Sequence, residues 1–79
     1  MALDRETEVR HLAQADIHVA DAERQVTTQM LVVEKLRAGG RDMVEAERLL
    51  ASLQDILKTM GEHRTLILNT IRQIDDGLL

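Results

Sequence analysis

Apolar side chains recur along this chain with a sevenfold period that persists through most of its length. In the first half Leu12, Val19, Val26 and Val33 stand seven apart, and Ala15, Ala22, Gln29 and Leu36 follow each of them by three. In the second half Ala46, Leu53, Met60, Ile67 and Ile74 make the same series, joined four residues later by Leu50, Leu57, Ile71 and Leu78. A seven-residue apolar repeat lays one stripe along an α-helix and imposes a left-handed supercoil on helices packed through it. The pattern predicts a first helix over about 4–38, a turn at 39–41 and a second helix over about 42–76.

The break between the two series is Arg37-Ala38-Gly39-Gly40-Arg41-Asp42. Glycine commonly follows a helix C-terminus because that position often needs a positive φ, and Gly39 and Gly40 supply it. Lys35 and Arg37 suit the negative end of the helix dipole, while Asp42, with Glu45 three residues on, reads as the N-cap of the next helix. So short a connection folds the helices back as an antiparallel hairpin. The two series then pair in layers whose residue numbers add to 79: Val33 with Ala46, Val26 with Leu53, Val19 with Met60 and Leu12 with Ile67. The expected fold class is all-α: two long antiparallel helices forming a coiled-coil hairpin. Gly61 is a weak point inside the second helix, but the sevenfold phase crosses it without a slip, which predicts one continuous helix.

That seam leaves apolar residues unused. Met30, Leu31, Leu49 and Ile56 lie beside it towards the turn, and Val9, Ile17, Leu66 and Leu68 towards the open end. A lone hairpin would leave these eight in water, so the expectation is a second interface, most simply between two hairpins packed as a homodimeric four-helix bundle. Size points the same way. A chain of 79 residues buries too little surface to be comfortably stable alone, and with no Cys neither a disulfide nor a thiolate metal site is open to it.

Composition agrees with a helical protein, since Phe, Tyr, Trp and Pro are all absent and the chain is rich in helix-forming residues. No stretch approaches a membrane span, and the N-terminal residues lack a basic region followed by an apolar one. The expected setting is cytoplasmic, without membrane attachment. A net charge of -4 disfavours nonspecific attraction to nucleic acid. Most basic residues have acidic neighbours at helical spacing, and the one local concentration is Lys35, Arg37, Arg41 and Arg48 around the turn.

Candidate chemistry is sparse. His11 and His18 stand two turns apart, about 10.5 Å along a helix, too far to share one metal ion without help from another chain. The layer register sets His63 opposite Asp16 and Arg64 opposite Ala15, a polar layer in an apolar seam of the kind that fixes register and orientation. Ser52 is the only serine and has no His within a turn. Asp75 and Asp76 are adjacent and point to different faces, and no strand precedes the Gly pair as a phosphate loop requires. The expectation is a protein without catalytic, metal or cofactor residues.

The chain resembles a group of small, mostly proteobacterial helical-hairpin proteins of unassigned function. The residues that carry the resemblance are His11, His18, Glu23-Arg24, Gln29, Leu36, Gly40-Arg41-Asp42, Ala46-Glu47, Leu49-Leu50, Leu53 and His63-Arg64. In architecture it is also similar to the Rop-type hairpin, which dimerises into a four-helix bundle and binds paired RNA loops; that likeness is one of fold, with no motif behind it. The expected function is a non-catalytic protein-protein interaction module, regulatory or scaffolding, with itself and another protein as partners. The alternative is a Rop-like RNA or DNA binding regulator, which would use the cations near the turn. The absence of aromatic stacking platforms weighs against that alternative.

Overall fold

The computed structural model describes residues 4–79, and the N-terminal reading at Met1 to Leu3 lies outside them. Two helices, α1 (Arg5–Ala38) and α2 (Val44–Asp75), pack against one another as an antiparallel hairpin of 58 × 18 × 15 Å. No helix among the described residues is long and apolar enough to cross a membrane.

Asp4 starts α1 from an extended backbone conformation, its carboxylate accepting from the Glu6 amide at 3.2 Å and from the Thr7 hydroxyl at 3.0 Å. Glu6 and Glu8 follow in the first turn, and Lys35 and Arg37 occupy the last, each charge suiting its end of the helix dipole. The helix then closes in a Schellman motif: the Arg41 amide donates to Leu36 O at 2.8 Å and the Gly40 amide to Arg37 O at 3.1 Å. Gly40 takes the positive φ, 67°, while Gly39 sits at an ordinary −85°.

The second helix begins two residues later than its sequence signal. Asp42 stays in the turn, its Oδ1 accepting from the Val44 amide at 2.9 Å, and Met43 occupies the cap position without a side-chain bond. An Asp can satisfy an amide two residues on from a loop as readily as from a cap, so Asp42 stands one position before the cap and is not the N-cap that the sequence suggests. Gly61 lies within uninterrupted α2. The end of α2 repeats the Schellman closure, with Leu78 donating to Gln73 O, Gly77 donating to Ile74 O, and Gly77 at φ 77°.

The seam forms where the sevenfold series places it. Ala15, Ala22, Val33, Ile67 and Ile71 are buried, and Leu12, Val19, Val26, Leu50, Leu53, Leu57 and Met60 are half-buried. Two ion pairs hold the open half within one residue of the expected register: Arg5 Nε with Asp75 Oδ1 at 2.7 Å, and Arg64 with Asp16. Towards the turn the register is held by Gln29, which is buried and donates from Nε2 to Ala46 O at 2.9 Å.

Candidate interaction surface

Packing between α1 and α2 leaves the larger aliphatic side chains half out of water. Val9, Ile17, Met30, Leu31, Leu49, Ile56 and Leu66 are exposed, as sequence reasoning expects, and Val32 and Val44 join them. Leu68 differs: it is half-buried, because its place beside Ile67 and Ile71 tucks it against the edge of the seam. The buried residues are Ala15, Ala22, Gln29, Val33, Ile67 and Ile71, and among the described residues no large side chain is completely enclosed.

Helical spacing sorts the exposed residues into three groups. One long side of the hairpin carries the stripe His11, His18, Gln25 and Val32 from α1 against Leu49, Ile56, His63 and Thr70 from α2. Shallow grooves run along this side: Gln25, Thr28 and Leu49 line one towards the turn, and His11, Gln14, His18 and His63 line another towards the open end. Thr59 and Met60 extend the second. The opposite side carries Val9, Asp16, Met30, Gly61 and Leu68, together with Glu23, Arg37, Glu47, Lys58 and Asp75. Ile17 and Leu31 belong to neither. They lie on the back of α1, 60% and 59% exposed.

The polar layer differs from its expected form. Asp16 pairs with Arg64 instead of His63, since one residue's step around α2 turns Arg64 towards the charged side and His63 towards the histidine-lined groove. Asp16 and Arg64 are both substantially exposed, so this is a surface pair of modest strength. The polar residue truly inside the seam is Gln29. Its signal was present in the sequence, as the one amide in a series otherwise filled by Ala, Val and Leu.

Other ionisable groups are engaged locally. Arg24 pairs with Asp21, Arg37 with Glu34 at 2.8 Å and Arg48 with Glu45 at 3.0 Å, so two of the cations around the turn are already countered within their own helix. His11 Nδ1 stands 3.6 Å from Glu8 Oε2. The Asp75 carboxyl is lowered from its ordinary value by the hydrogen bond from Arg5, and the Arg5 guanidinium is raised by the same bond. Among the described residues no three His, Asp or Glu side chains converge as a metal site would need, and no buried side-chain polar atom lacks a partner. Comparison with protein-family models, curated proteins and solved structures yields no match.

Proposed function

We propose that this chain is a non-catalytic protein-protein interaction module, regulatory or scaffolding, that works as a homodimeric four-helix bundle. One observation carries the reading: the hairpin encloses mainly Ala, Val and two Ile while Leu31, Leu49, Ile17, Leu66 and Met30 stay at least half exposed. Burial of a leucine-sized side chain contributes about 1.5–3 kcal/mol, so a surface of this kind favours association. The chemistry of the arms suits recognition by packing, with ionic groups satisfied pairwise at the surface.

The test is a tagged pull-down in which both protein and nucleic acid are identified. Recovery of one defined protein partner without RNA or DNA supports the module. A salt-sensitive mobility shift with total cellular RNA, lost when Lys35 and Arg41 are replaced by Gln, would make it a nucleic-acid binder instead.

A further inference from the structure

The two long sides of the hairpin differ sharply in charge. On the side of Asp16 and Arg64, ionic residues recur along both helices, among them Glu23, Arg37, Glu47 and Lys58. On the other side the central stripe of both helices contains only Gln, Thr, Val, Leu, Ile and His. Its flanking rows add Thr7, Gln14, Thr28, Ser52, Thr59 and Leu66, with charge confined to Asp21 and Arg24, which line the groove of Gln25 and Leu49, and to Lys35 and Glu45 beside the turn. Asp21 is held by Arg24. Depletion of charge in the centre of a patch, with ionic groups at its rim, is the compositional mark of a protein interface.

We infer that this charge-poor side, centred on Val32, Leu49, Ile56 and His63, is the surface on which a second copy of the chain packs. The inference rests on the homodimer reading above and adds which side is used.

Area fits a second copy as the occupant. A compact monomer of 8.9 kDa exposes about 4,800 Å², whereas the hairpin exposes 5983 Å². Covering that excess in each of two copies makes an interface on the order of 2,400 Å², within the range of obligate homodimers, which starts near roughly 2,000 Å². A two-fold axis lets the same patch serve both copies, and a patch nearly free of charge meets itself without like-charge repulsion. The opposite side has no such freedom, because its own acidic and basic residues would have to find partners across the axis.

The experiment is sedimentation equilibrium of the full chain with three substitutions, helicity being followed by circular dichroism. Ile56→Ala truncates the centre of the patch, and Ala is a strong helix former; the dimer dissociation constant should rise about tenfold or more. Leu31→Ala removes a still more exposed side chain from the back of α1 and should change it by less than about twofold. Gly61→Ala, on the charged side, should not weaken the dimer. A wild-type dimer that ignores Ile56→Ala but dissociates with Gly61→Ala would place the interface on the other side, overturning the inference while leaving the homodimer intact. A wild-type monomer would overturn both.

Discussion

Gly40 holds the turn at a backbone angle that costs other residues about 1–2 kcal/mol, whereas its neighbour Gly39 does not, with φ at −85° and room for a Cβ at ordinary contact from Lys35 O. The pair therefore separates in its mutational response. Gly40→Ala should lower the thermal midpoint by several degrees, on the order of 1 kcal/mol, and Gly39→Ala should be neutral or raise it; a denaturation series on both variants checks the split. Gln29 makes the second contrast at this scale. Its acceptor, Ala46 O, lies in α2 and also serves the helix ladder, so Gln29→Leu strands no polar group and adds apolar surface to the seam. The expected result is a stability raised by roughly 1 kcal/mol, read as a higher thermal midpoint, at the expense of a register device. Adjacent glycines in the sequence do not say which one takes the positive φ, because the choice depends on which amide closes back onto Leu36.

At the scale of the helices, most of the fold is legible in the sequence. The sevenfold phase fixes both arms, their direction and the register of the seam, since apolar spacing is repeated often enough to outweigh any single residue. What it misses lies at the ends, where one side chain decides. Asp42 could cap from inside or outside the helix, and the Gly77 closure depends on two hydrogen bonds beyond the last heptad. Gly61 is the weakest position in α2, with nothing within 4 Å of a Cβ built there. Gly61→Ala should thus stabilise the protein by about 1 kcal/mol, a rise of about 4–8 °C. The open ends of the helices are joined by Arg5 and Asp75. Because the folded carboxyl lies below its ordinary 3.8, the contribution of this pair is present above that value and is lost as pH falls through the lower folded value. Asp75→Asn should therefore flatten the acid limb of the melting temperature below about pH 4; an unchanged limb would deny the pair any share in stability.

For the whole molecule, the apolar residues outside the seam were readable one by one, but not the surface they belong to. Val9 and Met30, Ile17 and Leu31, and Leu49 and Ile56 fall on three different aspects of the hairpin, so hydrophobicity alone cannot select among them. The distribution of charge around the seam can. His63 shows why pairwise register is too coarse for this purpose: a single step in α2 moves a side chain from the ionic side, where Arg64 meets Asp16, to the groove it shares with His11 and His18. The proposed dimer gives the exposed aliphatic residues of that side a common use, and leaves the charged side and the back of α1 available to a further protein.

Sedimentation equilibrium of the unmodified chain at micromolar concentration near neutral pH tests the proposed homodimer most directly. A homodimer gives a mass of twice 8.9 kDa with full helicity; a well-folded monomer at that concentration would contradict the proposed dimer.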